Sequence, residues 1–182
     1  MKLISYKQNG NIKLGAFEEG KIYDLHALDG HIADNMLEFL QGGEEQLQLA
    51  MAAMEDGSPT ISAEDVELIS PVPNPPSVRD AYAFRQHVAT ARRNRGLEMI
   101  PEFDEIPIFY FTNHHAVFGE GYFPVLSRHT EKLDFELECA AVIGKGGRNI
   151  STSDADDYIA GFMIMNDLSA RVLQMQEMKL NL

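Results

Sequence analysis

The stretch Leu133-Asp134-Phe135-Glu136-Leu137-Glu138-Cys139-Ala140-Ala141-Val142-Ile143 places its apolar residues at odd positions as far as Cys139 and is apolar throughout from there. Side chains alternate between the two faces of a strand, so this period predicts a β-strand with Asp134, Glu136 and Glu138 on one face. A half-solvated surface strand carries the same alternation. The apolar run Ala140 to Ile143 argues instead that the element enters a core. Its acidic face is then partly covered, and covered like charges need compensation. Carboxylates at i and i+2 lie roughly 7 Å apart at their Cα atoms, within reach of one cation.

Downstream, Tyr158 to Asn166 is apolar throughout, as expected of a strand buried on both faces. It gives way at Asp167 to Leu168-Ser169-Ala170-Arg171. Asp167 is therefore either the N-cap of a last helix starting just after it, a role worth about 1 kcal/mol, or a third carboxylate for the same cation. On such a helix Arg171 and Gln174 point in a direction similar to Asp167. Between these elements, Gly144-Lys145-Gly146-Gly147 lacks the spacing and the Ser or Thr of a phosphate-binding loop and reads as a turn.

Upstream, Ile106 to Phe111 reads as a strand, and His114 and His115 are expected on opposite sides of it, unsuited to a shared metal. Ser77 followed by Asp80 resembles a capping box, from which a helix would run to Arg95 and end at Gly96. Seven residues apart on that helix, Asp80 and His87 would share a face. Histidine titrates near neutrality, so the two form a candidate acid-base pair; a lone histidine serves equally as a surface or core residue. The cluster Arg92, Arg93 and Arg95 reads as a solvated helix end, from which one arginine can clamp a carboxylate.

Four prolines within Pro71-Val72-Pro73-Asn74-Pro75-Pro76 block helix and central strand alike, so 71–76 is read as a linker between a small N-terminal domain, 1–70, and a catalytic domain beginning at 77. In the first domain, Leu3 to Tyr6, Ile12 to Phe17 and Lys21 to Leu25 are separated by Asn9-Gly10 and Glu19-Gly20, a strand meander. Two helices follow, Ile32 to Leu40 and Glu44 to Met54, with Gly42-Gly43 between them.

Charge narrows the partners. A formal net charge of −13 over 182 residues repels nucleic-acid backbones and anionic membrane surfaces. The excess is concentrated in residues 1–70, with 4 basic and 13 acidic side chains against 11 and 15 in residues 71–182, so the second part can still accept an anionic small molecule. Cys139 is the single cysteine, which excludes an internal disulfide. No apolar run approaches the roughly 20 residues of a membrane-spanning helix. With no signal-like start, a cytoplasmic protein is expected.

Taken together and in this order, Arg85-Gln86-His87, Leu133-Asp134-Phe135-Glu136-Leu137-Glu138 and Met165-Asn166-Asp167-Leu168-Ser169-Ala170-Arg171 resemble the fumarylacetoacetate hydrolase family. The resemblance runs from about Pro71 to the end, and the early elements resemble the small N-terminal domain many members carry. It implies an α+β, mainly β fold: a mixed β-sandwich roll preceded by a small α+β domain. It also implies a Mg²⁺, Mn²⁺ or Ca²⁺ ion on the positions matching Glu136, Glu138 and Asp167. Asp80 matches a further metal-proximal aspartate, His87 the water-activating base, and Tyr82, Tyr110, Arg171 and Gln174 substrate-contacting positions. An all-oxygen donor set independently favours hard cations over zinc or copper.

The activity implied is hydrolysis of a carbon-carbon bond in a β-diketo acid or acylpyruvate, with a homodimer as the expected assembly. Decarboxylation, hydration or isomerisation of an oxo acid uses the same metal. Two departures bear on turnover. Thr90 stands where acylpyruvase-type members place a glutamate three residues after the histidine, and the second half of the catalytic domain, which carries a substrate-binding lysine, is missing. The roll is accordingly expected to be incomplete and the chain a fragment of a longer protein, for which a non-catalytic role in metal binding or dimerisation is the competing reading.

Overall fold

The computed structural model describes residues 1–180. Two compact units are present, one made of Met1–Pro73 together with the described residues from Phe118 onward, the other of Asn74–Val117.

The first unit begins with β1 (Leu3–Gln8), β2 (Asn11–Glu18) and β3 (Lys21–Asp24). Asn9 and Gly10, then Glu19 and Gly20, all have positive φ, the backbone that two-residue hairpins demand and that Asn-Gly adopts at least cost. With β4 (Ile61–Ser62) and β5 (Glu67–Ile69) they form a five-stranded antiparallel sheet in the order β4-β3-β2-β1-β5. A single turn, α1 (Leu25–Leu28), is capped by Asp24, which also takes the ammonium of Lys13 at 2.6 Å.

Across one face of the sheet lies α2 (Met36–Asp56), two helical segments divided at Gly43, whose φ of 58° and ψ of −135° are non-helical, where the Gly42-Gly43 signal predicts the break. Asn35 caps its start, accepting the Glu38 N–H at 3.0 Å, so the helix begins later than Ile32. Leu14, Ala16, Tyr23 and Leu25 meet Ile32, Met36, Phe39 and Ala50 in the main apolar core.

The second unit contains β6 (Val78–Ala81), α3 (Arg85–Asn94), α4 (Glu102–Glu105) and β7 (Phe109–Thr112). The helix expected from Ser77 is thus replaced at its start by a strand. Val78 to Ala81 pair with Thr112 to Phe109, and the Arg79 guanidinium lies 4.6 Å from the Phe111 ring centroid and 5.9 Å from that of Phe109. Pairing with an aromatic strand, after prolines that favour extended backbone, outweighs the local capping signal. α3 ends at Gly96 with φ 72°, as the sequence predicts. His114 and His115 stand beyond β7 in a turn, their ring centroids 4.1 Å apart, because the Asn113 side chain accepts the His115 N–H and bends the chain.

Back in the first unit, β8 (Leu133–Ile143) and β9 (Ile159–Ala170) pair antiparallel along nearly their whole length. The strand limits of β8 are those read from its period. The last helix, α5 (Arg171–Glu177), starts three residues later than expected, because Leu168, Ser169 and Ala170 still pair with Phe135, Asp134 and Leu133. Asp167 is accordingly a strand residue, and the N-cap position of α5 falls to Ala170. Nor is β9 buried on both faces: Phe162 and Ile164 are 69% and 78% exposed, alongside Phe135 and Leu137 from β8. The two strands form a sheet of their own, and this apolar face stays open among the described residues.

Candidate metal centre

The other face of the β8–β9 ladder carries the carboxylates. Glu136 and Asp167 are direct cross-strand partners, and Glu138 stands two residues further along β8, diagonal to Asp167. All three are half-buried, whereas the residues alternating with them are exposed. Carboxylate oxygens of Glu138 and Asp167 lie within 4.8 Å of one another, close enough for one cation to bridge them. Oxygen donors only, partly shielded from water and anionic, fit a hard divalent ion.

Glu136 is engaged differently. The last rung of the ladder, Leu133 opposite Ala170, is followed by a 3.1 Å bond from the Arg171 N–H to the Lys132 carbonyl, which fixes the first residue of α5 above β8. From there the guanidinium lies along the acidic face. Nη2 donates to Glu136 Oε1 at 2.6 Å, Nε to Asp134 Oδ2 at 3.0 Å, and Nη1 to Gln174 Oε1 at 3.1 Å. The Phe135 backbone N–H, and after it Arg171, hold the Asp134 carboxyl below the usual carboxylate range. Asp134 is the participant that sequence reasoning left without a role. Its partner lies 37 residues away, and only the strand register brings the two together.

The remaining candidates belong to the other unit. Asp80 is buried on β6, where its cross-strand partner Tyr110 donates its hydroxyl to Oδ2 at 3.0 Å. Tyr82 stacks edge-on against His87 with ring centroids 6.1 Å apart. His87 is exposed near the start of α3, above a shallow depression that also involves Phe84, Arg85, Gln86 and Thr90. Asp80 and His87 do not share a helix face, since one is on a strand and the other on α3. An ion pair absent from the sequence reading anchors that helix: Arg85 grips Asp104 of α4 with Nε at 3.0 Å and Nη2 at 3.2 Å.

The model of the fumarylacetoacetate (FAA) hydrolase C-terminal family matches residues 77–182. Oxaloacetate tautomerase fahd2, mitochondrial, of Xenopus laevis is 29% identical over 182 residues, covering 97% of this chain and 54% of the relative. Among solved structures, a fumarylacetoacetate hydrolase of Exiguobacterium antarcticum superimposes with a TM-score of 0.67 at 24% identity, over 98% of this chain and 59% of that one. A maleylpyruvate hydrolase of Sphingobium, in complex with manganese(II) and pyruvate, does so at 0.66 and 23%, over 92% and 58%. These likenesses establish the shared fold. The chain spans about half the length of the curated relatives it matches.

Proposed function

Because the chain belongs to the fumarylacetoacetate hydrolase family, we propose that it acts with a divalent ion on a small oxo-dicarboxylate, interconverting its keto and enol forms. The observation that carries this reading is the Glu138–Asp167 pair, two carboxylates within 4.8 Å on a half-buried strand face, in a chain similar to an oxaloacetate tautomerase. Glu136, Glu138 and Asp167 are the residues proposed to hold Mg²⁺ or Mn²⁺, with Ca²⁺ a further candidate. Asp80 is proposed as an additional carboxylate near it, on the strength of the family resemblance. When bound, such an ion polarises adjacent carbonyl and carboxylate oxygens and stabilises the charge that develops on them.

The chain's own groups supply the rest of the proposal. Gln174 is proposed to offer its amide N–H to a substrate carboxylate, and Arg171, whose fork is already engaged by Glu136, Asp134 and Gln174, to contribute positive charge beside it. Tyr82 and Tyr110 add an aromatic wall and a hydroxyl. His87, one imidazole nitrogen free to accept and the other to donate, moves the proton between carbon and oxygen.

A second reading is hydrolysis of a carbon-carbon bond in a β-diketo acid or acylpyruvate, with His87 activating water. The similarity to a maleylpyruvate hydrolase and the exposure of His87 to solvent favour it. Both readings use the same ion and differ in whether water is consumed. Following enol absorbance of oxaloacetate and loss of an acylpyruvate in parallel separates them. Under the first reading oxaloacetate tautomerises with Mn²⁺ present and the acylpyruvate persists. Glu138→Ala and Asp167→Ala are each expected to lose both Mn²⁺ binding and turnover. Full Mn²⁺ stoichiometry in both variants overturns the site; Mn²⁺ bound with neither substrate consumed leaves a metal-binding chain and overturns the enzyme. The homodimer is likewise a proposal, tested by light scattering coupled to gel filtration.

A further inference from the structure

Glu136 faces Asp167 across the ladder and stands two residues from Glu138, yet its Oε1 is taken by Arg171 Nη2 at 2.6 Å. The remaining nitrogens of the fork are committed to Asp134 and Gln174, and the Arg171 backbone is bonded to Lys132. Both side chains of the Arg171–Glu136 pair are about a quarter exposed, at 28% and 26%, so the contact is far less screened than an ordinary surface pair. Meanwhile the carboxylates gathered within 4.8 Å on this face are those of Glu138 and Asp167.

We propose that Arg171 competes with the metal ion for Glu136, so that the arginine sets the ion's affinity by occupying one of its candidate donors. The inference rests on the metal reading above and deepens it. A carboxylate oxygen that accepts a short bond from a guanidinium cannot also direct the same lone pair at a cation, so a cation that takes Glu136 through Oε1 must displace that bond. Arg171 is thus a positioning residue. It compensates the charge of Glu136 when no ion is bound, and that compensation subtracts from the free energy of ion binding. Asp134 and Gln174 strengthen the competitor, because they hold the fork over β8 before any ion arrives.

The test is a double-mutant cycle read in Mn²⁺ affinity by titration calorimetry, with Arg171→Met, Glu136→Gln and the double variant. Competition predicts that Arg171→Met tightens Mn²⁺ by roughly tenfold or more, the scale of one charge-assisted hydrogen bond, and that this gain disappears in the Glu136→Gln background. Arg171→Lys, which keeps the charge but loses the planar fork, is expected to give part of the gain and guards against a poorly folded Met variant. An equal gain from Arg171→Met in both backgrounds, with Arg171→Lys unchanged, means a through-space field and overturns the proposal. Weaker Mn²⁺ binding by folded Arg171→Met overturns it as well, making the arginine a support for the site. Failure of the metal reading itself looks different, since then no variant, nor the parent chain, binds Mn²⁺.

Discussion

Arg85 and Arg171 each secure an aspartate, and each leaves a measurable trace in its titration. Asp104 is held below the usual carboxylate range by the Arg85 fork, and Asp134 by the Phe135 N–H and then Arg171. A carboxyl depressed on folding contributes stability above its unfolded value, near 4, and that contribution is lost as pH falls through the folded value. Carboxyl-carbon NMR is therefore expected to find both aspartates titrating below ordinary exposed ones. Arg85→Gln should return Asp104 upward while leaving Asp134 in place. Ser5 makes a different kind of contact. Fully buried on β1, it donates to the Pro71 carbonyl at 2.7 Å, fastening the sheet to the proline stretch. Ser5→Ala leaves that carbonyl short of its donor and is expected to cost about 1–3 kcal/mol in urea denaturation. The residue-level reading of the sequence found the carboxylates, because alternation is local, and missed their partners, because those are not.

Among the elements, α2 and the β8–β9 ladder show how local pattern and pairing divide the work. The Gly42-Gly43 signal stands at the helix break, with Gly43 at φ 58° and ψ −135°, a backbone that L side chains rarely adopt. Gly43→Ala is expected to destabilise the chain by about 1 kcal/mol or more, whereas Gly30→Ala, in open space and without a positive φ, should be near neutral; thermal unfolding by circular dichroism compares them. For β8 the alternation to Cys139 and the apolar run after it marked both ends. For β9 and the segment after Pro76, pairing prevailed over the local signals. Asp167 looks like a helix cap until Leu168 to Ala170 are seen to continue the ladder, and Ser77–Asp80 looks like a capping box until Asp80 is seen opposite Tyr110. Capping is worth about 1 kcal/mol, less than several rungs of backbone bonds with their cross-strand contacts.

At the scale of the molecule, the ladder has two unlike faces. One bears Glu136, Glu138 and Asp167, half-covered; the other bears Phe135, Leu137, Phe162 and Ile164, each more than 60% exposed. A contiguous apolar patch of this kind promotes association. Ile164→Lys, on the open face, is expected to reduce light scattering at a given protein concentration while leaving Mn²⁺ affinity within about twofold, since alternate residues point away from the carboxylates. Unchanged scattering would mean that the face does not drive association. No helix among the described residues is long and apolar enough to cross a membrane. The net charge of −13 opposes association of like copies.

The sequence by itself determined the family, the α+β and mainly β class, the β1–β3 meander with its two tight turns, and the oxygen-only character of the candidate site. Each rests on short-range pattern: a period of two, glycines where φ must be positive, a motif order that survives without coordinates. Only the tertiary structure decided that Glu136 faces Asp167, that Glu138 closes on Asp167, that Arg171 takes Glu136, and that β9 half-buries one face and leaves the other exposed. Those facts depend on strand register and on which faces find a covering element, and both are settled by contacts between residues tens of positions apart, where no local propensity reaches.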